Sequence, residues 1–187
     1  LSNRLYPHIT SLIHSDQNGF IPKRNTFLNT RPLLSLIHAE SQAEAHYGTV
    51  SLDIEKAFDT LAWPYLQEVL KGMCFGPKFF KWIDTIYICP RARVKTGHYI
   101  SNSFTIHRGT RQGCPLSPMI FALAIERLAC MLHSWAAQWG IALHDTFHVV
   151  SLYADDALIY LRDLQLSLMA LMVLLDIFRT LSGLRVN

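Results

Sequence analysis

The chain of 187 residues carries 17 Lys and Arg against 14 Asp and Glu, and 50% of its residues are hydrophobic. This length and apolar content suit one domain with its own core, and a net charge of +3 permits a polyanionic partner without requiring one. The four cysteines form no C-x-x-C pair, and no paired histidine spacing accompanies them. They indicate neither a zinc module nor a disulfide framework and favour reduced thiols in an intracellular protein.

The sequence offers no signal peptide and no place to divide it into two domains. The opening LSNRLYPHIT has no basic start, no long apolar run and no initiator Met, so we expect a fragment of a longer protein. No repeat, low-complexity tract or Pro, Gly and Ser linker is present, which predicts a single domain over residues 1–187. The apolar run Leu164–Leu175 is shorter than the ~20 residues that span a bilayer. We expect a buried helix there and no membrane partner.

The first half of the chain predicts helices around one strand. Apolar residues at helical spacing predict a helix over residues 26–46, and the alternating β-branched run Thr49–Ile54 predicts a strand. Pro64 near a first turn and Gly72 near a stop mark a short helix. The segment that starts at Pro77 and ends before Pro90 repeats this pattern and predicts a second short helix.

The second half predicts two hairpins and two helices. ARVKT and SFTIH, separated by the turn-rich GHYISN, predict a hairpin over residues 92–107. A helical period from Leu116 to Trp139 predicts the longest helix, which ends at Gly140. The strand-like runs Phe147–Tyr153 and Ala157–Leu161 place Ala154, Asp155 and Asp156 at a hairpin tip, and a last helix over about Leu166–Leu181 ends at Gly183 before the extended LRVN. This order predicts an α+β fold, with an antiparallel sheet and helices on one face.

Three carboxylates stand in apolar strand contexts, namely Asp53, Asp155 and Asp156. If the Asp53 strand pairs beside the Asp155 hairpin, the side chains converge on one face, and divalent cations between them relieve their repulsion. Two Mg²⁺ ions about 3.5–4 Å apart can clamp the attacking and leaving oxygens of a phosphoryl displacement. The alternative is conformational, because Asx residues are common at hairpin tips and Asp53 can be a solvated strand end. Asp59 is better explained as a helix N-cap than as a ligand.

Three ordered motifs carry a family resemblance. SLDIEKAFD at 51–59, GTRQGCPLSP at 109–118 and LYADD at 152–156 resemble successive motifs of reverse transcriptases, and are most similar to LINE-type non-LTR retrotransposon enzymes. The upstream LIHSDQNGFIPKRNT and the final SGLRVN are also similar to that family, so the resemblance covers essentially the whole chain. It implies the palm and part of the fingers of a right-hand polymerase. It also implies DNA synthesis from dNTPs on an RNA template and a DNA primer for retrotransposition, with two Mg²⁺ ions, or Mn²⁺, as cofactors.

The resemblance also implies roles for individual residues. Asp53, Asp155 and Asp156 match the catalytic metal-binding acids, with the main-chain carbonyl of Ile54 as a further ligand. Phe58 matches the steric gate under the sugar of the incoming nucleotide, although a core aromatic is the commoner fate of a Phe. The remaining matches are Arg111, Gln112 and Gly113 against the nascent base pair, and Tyr153 and Ala154 near the primer terminus. Gly113, with the nearby prolines, also shapes the entry to the long helix.

Basic and histidine residues give weaker indications. Lys23, Arg24 and Arg31 form a basic patch interleaved with Phe20 and Phe27, which could bind a template backbone through charge and stacking. A solvated helix face explains the same residues equally well. The histidines show no ligand spacing and receive no predicted function; they are His8, His14, His38, His46, His98, His107, His133, His144 and His148.

The chain also departs from the family pattern. We expect the triphosphate-binding stretch of the fingers, a lysine beyond SGLRVN and the thumb to lie outside residues 1–187, so that this chain alone copies poorly. Three alternatives remain: a catalytically incompetent retroelement remnant that serves as a nucleic-acid-binding or protein-interaction module, a group II intron-type reverse transcriptase, and, more distantly, a two-metal nuclease. Localisation is expected in the nucleus, the cytoplasm or both, and the oligomeric state stays open.

Overall fold

The computed structural model describes residues 1–42, 47–143 and 146–187. The helices are α1 (Ser2–Leu12), α2 (Phe27–Gln42), α3 (Ala57–Thr60), α4 (Trp63–Gly72), α5 (Pro77–Tyr87), α6 (Ser117–His133), α7 (Ala136–Trp139) and α8 (Leu164–Ser182). The strands are β1 (Gly48–Glu55), β2 (Arg91–Ala92), β3 (Lys95–Thr96), β4 (Tyr99–Ile100), β5 (Phe104–Thr105), β6 (Ile141–Leu143), β7 (Thr146–His148), β8 (Val150–Tyr153), β9 (Asp156–Leu161) and β10 (Arg185–Val186).

A four-stranded antiparallel sheet in the order β10-β1-β9-β8 forms the centre of the fold. β1 and β9 pair along six residues of each, from Gly48 opposite Leu161 to Asp53 opposite Asp156. The alternating sequence of β1 favours this register, because a slip by one residue would turn its apolar side chains to the wrong face. The predicted strand at 49–54 and the predicted pairing of these two segments are therefore confirmed.

The two faces of the sheet contact different helices. Ala157, Ile159 and Leu161 of β9 belong to the main core, which also contains buried residues of α4, α6 and α8. Tyr160 points to the other side and packs in a smaller cluster with Leu36 of α2. The prediction of helices on one face describes the main core and is incomplete, since α2 covers part of the opposite face.

Helix α6 is the central element of the main core. Its buried residues include Phe121, Leu123 and Leu128, and they lie on all sides of the helix. A helix that is apolar all round is typical of a protein interior. Tyr65 of α4 donates a hydrogen bond of 2.8 Å from its hydroxyl to the carbonyl of Ala124, and this bond joins α4 to α6.

Several predicted elements are confirmed with changed boundaries. The helix predicted over residues 26–46 is α2, and its residues 43–46 lie outside the described part of the chain. The two short helices are α4 and α5, and the final extended segment is β10. Gly183 ends α8 with a φ of 76°, as its predicted role as a stop requires.

Other predictions were wrong in detail. The run Phe147–Tyr153 is not one strand, because Thr146–His148 pairs with β6 whereas Val150–Tyr153 pairs with β9. Asp156 is the first residue of β9, so the tip of this hairpin is the two-residue turn of Ala154 and Asp155. In the segment 92–107, KT pairs with YI from the predicted turn, and only the outer residues pair as β2 and β5. Asp59 is not an N-cap: it lies inside α3, and the N-cap of the following helix α4 is Ala62.

The long helices also differ from the prediction. The segment predicted as one helix up to Trp139 is divided into α6 and α7, and α8, with 19 residues, is longer than the 17 of α6. By length and composition α8 could cross a membrane. In the structure one stripe of α8 packs in the main core through residues such as Leu171 and Phe178, while Met169 and Val173 on another face are exposed. The prediction of a buried helix therefore holds for one face only.

Candidate active site

The sheet brings two of the three predicted acids together. Asp53 near the end of β1 and Asp156 at the start of β9 are direct partners in the antiparallel ladder, so their side chains leave the sheet on the same face. Asp156 is also opposite Tyr153 of β8, which adds a half-exposed ring to that face. Asp155 lies in the adjoining turn. Residues 53 and 156 are neighbours because β9, after the β8–β9 turn, runs antiparallel beside β1.

The turn between β8 and β9 has a strained main-chain conformation and is hydrogen-bonded by a side chain from another segment. Ala154 has a φ of 58°, in the left-handed region where a glycine fits more easily. The buried side chain of Gln17 binds both main-chain polar groups of Ala154: its Nε2 donates to the carbonyl at 3.3 Å and its Oε1 accepts from the N–H at 3.1 Å. The same Oε1 accepts from the N–H of Gly19 at 2.8 Å. One amide therefore fixes the conformation of the turn that carries Asp155.

Gly19 packs directly against this turn. A Cβ at Gly19 would lie 2.1 Å from the main-chain nitrogen of Ala154, so only glycine fits here. Neither Gln17 nor Gly19 was predicted as a site residue. The sequence signal that could have identified them is the QNGF segment, which was noted only as part of the family resemblance.

Main-chain bonds on the other side of β1 complete the frame around Asp53. The N–H of Asp53 donates to the carbonyl of Asn187 at 3.4 Å, and the N–H of Asn187 donates to the carbonyl of Asp53 at 2.8 Å. Ile54, which was predicted to offer its carbonyl to a metal, has a buried side chain in the main core. Only its main chain is therefore available to the site.

The segment after β1 positions Phe58 beside the 109–113 loop. The ring of Phe58 is half-buried, with ring centroids 5.9 Å from Phe20 and 4.8 Å from Phe121. Its carbonyl accepts from the N–H of Thr110 at 2.5 Å. Gly109 has a φ of 85°, and a Cβ there would lie 2.7 Å from the carbonyl oxygen of Phe58. Phe58 thus has a core contact and also an exposed edge.

All four residues that were predicted to bind the dNTP line one open cavity of about 490 Å³. They are Phe58, Arg111, Gln112 and Gly113, and the walls are completed by residues of the turn into α6. Phe20 and Gly19 connect this cavity to the acids, because Phe20 contacts Phe58 while Gly19 contacts Ala154. The cavity and the acid turn therefore contact the same short segment of the chain. The roles of the four residues as ligands stay predictions.

One thiol in this cavity has a perturbed pKa. Burial by itself raises the pKa of Cys114, but hydrogen bonds from the main-chain N–H groups of Leu116 and Ser117 and from the Ser117 side chain stabilise the thiolate. The positive charge of Arg111 acts in the same direction, so that the net effect lowers the pKa. The start of α6 therefore favours negative charge at the cavity wall.

The three predicted template residues differ in their surroundings. Lys23 and Arg31 are exposed, and so is Phe27 between them. Arg24 is instead engaged by the protein itself, because its guanidinium donates four hydrogen bonds of 2.5 to 3.1 Å to main-chain carbonyls between residues 10 and 17. Those bonds connect the end of α1 to the Gln17 segment. Template binding by Lys23 and Arg31 stays a prediction, and the described contacts of Arg24 are structural.

The electrostatics of the acids suit a hard divalent cation. Among the residues that the structure describes, the ion pairs join other side chains, and none includes Asp53, Asp155 or Asp156. Asp53 and Asp156 are exposed cross-strand partners, and carboxylate oxygens are the donors that Mg²⁺ prefers. Their chemistry therefore fits the predicted cofactor, although the three acids are not among the described side chains whose ligand atoms lie within 4.8 Å of one another.

Comparison with protein families gives one match along the whole chain. Residues 1–187 match the family described as reverse transcriptase (RNA-dependent DNA polymerase). The chain belongs to this family. The acids, the Phe58 turn and the 109–113 loop are therefore parts of a reverse transcriptase domain, as the ordered motifs indicated.

Relatives of this reverse transcriptase domain occur in non-LTR retrotransposons. It is 34% identical over 164 residues to the 149 kDa protein of transposon TX1 from Xenopus laevis, a match that covers 88% of the chain and 12% of that protein. It is 27% identical to the Pol polyprotein of the R2 element of Popillia japonica, over 79% of the chain and 21% of the polyprotein. The R2DM polyprotein of Drosophila melanogaster is also 27% identical, over 91% of the chain and 16% of its own length.

Solved structures support the fold of the reverse transcriptase domain. Telomerase from Candida tropicalis, in complex with a fragment of telomeric RNA, superposes with a TM-score of 0.70 at 13% identity and covers 99% of the chain and 32% of the telomerase. Telomerase from Candida albicans gives a TM-score of 0.64 at 11% identity, over 100% of the chain and 32% of the telomerase. The right-hand polymerase fold is thereby confirmed. The chain spans about a third of these structures and a smaller share of the retrotransposon proteins.

Proposed function

We propose that this reverse transcriptase domain is the catalytic core of an RNA-directed DNA polymerase that serves retrotransposition. It would join nucleotides from dNTPs to the 3′ end of a DNA primer on an RNA template. The observation that carries the proposal is the pairing of Asp53 with Asp156 across the sheet, with Asp155 in the adjoining turn. The cavity that contains Phe58 and the 111–113 loop supports the same proposal, because Phe58 and the acid turn both contact the short segment Gly19–Phe20.

The acids would hold two Mg²⁺ ions, or Mn²⁺, through Asp53, Asp155 and Asp156, with the carbonyl of Ile54 as a further ligand. When bound, the ions would supply positive charge for the in-line displacement at the α-phosphate of the nucleotide. The chain itself fixes the positions of the carboxylates, since Gln17 holds the turn and the β1–β9 register sets the cross-strand pair. Such prior positioning means that little reorganisation accompanies the reaction.

The cavity would bind the incoming dNTP. Arg111 and Gln112 can donate hydrogen bonds to phosphate or base edges, and Gly113, with a φ of 79°, lets the main chain turn close to the substrate. The edge of Phe58 would exclude a 2′-hydroxyl. Tyr153 and Ala154 would contact the primer terminus at the acid turn. The exposed Lys23 and Arg31 would contact the template backbone, with Phe27 available for stacking.

Primer extension tests this function. The chain is incubated with an RNA template, an annealed DNA primer, dNTPs and Mg²⁺, in parallel with Asp155→Asn and with Glu68→Gln as the control. Glu68 is an exposed acid that pairs with Lys71 on α4, and it is neither one of the three acids nor a residue of the cavity wall. We expect weak extension by the unchanged chain and by the control, since this chain alone is expected to copy poorly, and loss of that extension in Asp155→Asn. Full activity of Asp155→Asn would refute the proposal.

A binding measurement extends the test to a chain that elongates primers slowly. Mn²⁺ bound to the chain is followed by electron paramagnetic resonance, and Mg²⁺-dependent dNTP binding by fluorescence. We expect both signals to weaken in Asp155→Asn and to persist in Glu68→Gln. If RNA binds the unchanged chain without any metal-dependent dNTP binding, the nucleic-acid-binding module becomes the better description and the polymerase proposal fails.

The nucleotide cavity has its own test. Phe58→Val removes the ring edge, so we expect the ratio of ribonucleotide to deoxyribonucleotide incorporation to rise. The core contact between Phe58 and Phe121 means that this variant also loses stability. Unfolding is therefore measured alongside, and the ratio is determined at a temperature at which the variant is folded. An unchanged ratio would remove Phe58 from the nucleotide site.

A further inference from the structure

A second cluster of metal-ligating side chains lies outside the acid site. His14 follows the end of α1, Asp16 is two residues later, and His133 is the last residue of α6. His133 Nε2 lies 2.8 Å from Asp16 Oδ2, and His14 Nδ1 lies 3.4 Å from the same oxygen. One ligand atom from each residue falls within 4.8 Å of the other two. Two imidazoles and one carboxylate therefore converge on a single point.

The two imidazole rings lie against each other. The ring centroids of His14 and His133 are 4.1 Å apart with an interplanar angle of 35°. Burial, together with the nearby His133 and Arg24, lowers the pKa of His14, although Asp16 opposes the shift. A neutral imidazole is the form that binds metals. The side chains are 25% to 41% exposed, so an ion can enter from the solvent.

The donor set selects the class of metal. Imidazole nitrogen suits Zn²⁺ and neighbouring transition metals, whereas Mg²⁺ and Ca²⁺ prefer oxygen ligands only. With Zn²⁺ bonds of about 2.0–2.1 Å, the ligand atoms of a tetrahedral site are about 3.3 Å apart. The 3.4 Å between His14 and Asp16 matches this spacing, and the 2.8 Å between His133 and Asp16 is about 0.5 Å shorter. A small movement of His133 would complete three corners, and water would take the fourth.

We propose that His14, Asp16 and His133 form a zinc site that fastens the ends of α1 and α6 to the segment behind the acid turn. Bonds to Zn²⁺ would replace two hydrogen bonds that the structure shows. One joins His133 Nε2 and the Asp16 carboxylate, and His14 Nδ1 accepts the other from the main-chain N–H of Asp16. Zn²⁺ would take the place of the His133 Nε2 proton, which moves to Nδ1 or to the solvent.

The cluster includes the segment that supports the acid turn. The carbonyl of Asp16 accepts from the N–H of Leu152 at 2.8 Å, and the N–H of Asn18 donates to the carbonyl of Leu152 at 2.9 Å. Gln17, which holds Ala154, lies between these two bonds. An ion on Asp16 would therefore stabilise the same segment that supports the acid turn. The proposal does not depend on polymerase activity, because every readout below is one of binding or stability.

Isothermal titration of the 187-residue chain with Zn²⁺, in a constant excess of Mg²⁺ that occupies the carboxylate site, tests the proposal. We expect one bound ion per chain and a rise in the unfolding temperature. In His14→Gln and Asp16→Asn the affinity should fall by at least about tenfold, since even changes outside the ligand set have effects of that size. His8→Gln and His107→Gln are matched controls, because both histidines are exposed and lie outside the cluster.

Cobalt provides a measurement on the unchanged chain. Co²⁺ in this site should give the visible absorption of a tetrahedral ion without the near-ultraviolet thiolate band, which separates it from binding at any of the four free cysteines. A thiolate band, an octahedral spectrum or equal Zn²⁺ affinity in His14→Gln and the unchanged chain would overturn the proposal. In that case the cluster is a hydrogen-bonded contact between α1 and α6. The cobalt spectrum also decides the matter if a ligand variant does not fold.

Discussion

Neutralising one of the paired acids should stabilise the metal-free protein. Asp53 and Asp156 are directly opposite each other on β1 and β9, and like charges at such positions are destabilising. Asp156→Asn keeps the shape of the side chain and removes this repulsion. It also removes a carboxylate that we assign to the metal site. The variant should therefore be more stable than the unchanged chain without divalent ions and should gain less stability when Mg²⁺ is added.

The expected size follows from the register. Side chains at directly opposed positions have Cβ atoms about 4.5–5.5 Å apart. Two unit charges about 5 Å apart in a water-like dielectric repel by ~0.8 kcal/mol, and the water-like value is appropriate because both residues are exposed. Allowing for side chains that turn away from each other, we expect a gain of about 0.5–0.8 kcal/mol. For a chain of this length that corresponds to about 1–3 °C in the unfolding midpoint.

Thermal and urea unfolding in low salt with a chelator measure the effect, and the measurements are repeated in Mg²⁺ and at high ionic strength. Screening should shrink the gain at about 1 M salt, where the Debye length is ~3 Å. Glu55→Gln is the matched control, because it removes the same charge from β1 at a position opposite Arg185 and should be neutral or slightly destabilising. A metal-free Asp156→Asn that is less stable than the unchanged chain, or that gains as much from Mg²⁺, would refute the reasoning.

Three further variants test contacts elsewhere in the frame. Gly19→Ala should lower the free energy of unfolding by about 3 kcal/mol or more, because its Cβ would meet the main chain of Ala154. The control Gly72→Ala should be neutral or stabilising, because a Cβ there meets nothing within 4 Å. Equal effects of the two variants in urea unfolding would contradict the packing at Gly19. Arg24→Ala removes four hydrogen bonds to main-chain carbonyls and should lower the free energy of unfolding by about 2–3 kcal/mol. A variant that binds RNA differently but unfolds at the same urea concentration would contradict a structural role for Arg24. Burial raises the pKa of the Glu126 carboxyl above its usual 4.5, so its ionisation opposes folding increasingly as pH rises through the folded pKa. Glu126→Gln should therefore be more stable than the unchanged chain at pH ~7, with a smaller difference near pH ~4, and a loss of stability at pH ~7 would contradict it.

The strands that carry the acids could be predicted because their sequence signals are local. Alternation in β1 indicates which of its side chains share a face, and the pairing of β1 with β9, which was a condition of the prediction, then places Asp53 opposite Asp156. The helices marked by Pro64 and Pro77 were predicted for the same reason, since a proline at the first turn and a stop signal lie within one short segment.

The parts that were missed depend on contacts between distant segments. Helix α1 was not predicted; Pro7 lies inside it, between its two buried residues Leu5 and Ile9. Likewise, no spacing rule joins His14 to His133, because their proximity arises from the packing of α1 on α6. A basic residue in a polar segment also looks the same whether it faces RNA or main-chain carbonyls, and the fold alone showed that Arg24 does the latter.

The hydrogen bonds between Gln17 and the acid turn bear on the order in which the protein folds. The β8–β9 hairpin closes a two-residue turn, a process of about 1–10 μs, but the amide that holds Ala154 lies 137 residues earlier. At about 5–20 residues per second, a ribosome needs roughly 7–27 s to make the chain between them. Throughout that interval the emerging Gln17 segment has no turn to bind. The β8–β9 turn therefore becomes rigid only when two segments that are made far apart in time have come together, whereas the hairpin itself can close as soon as its own residues are made.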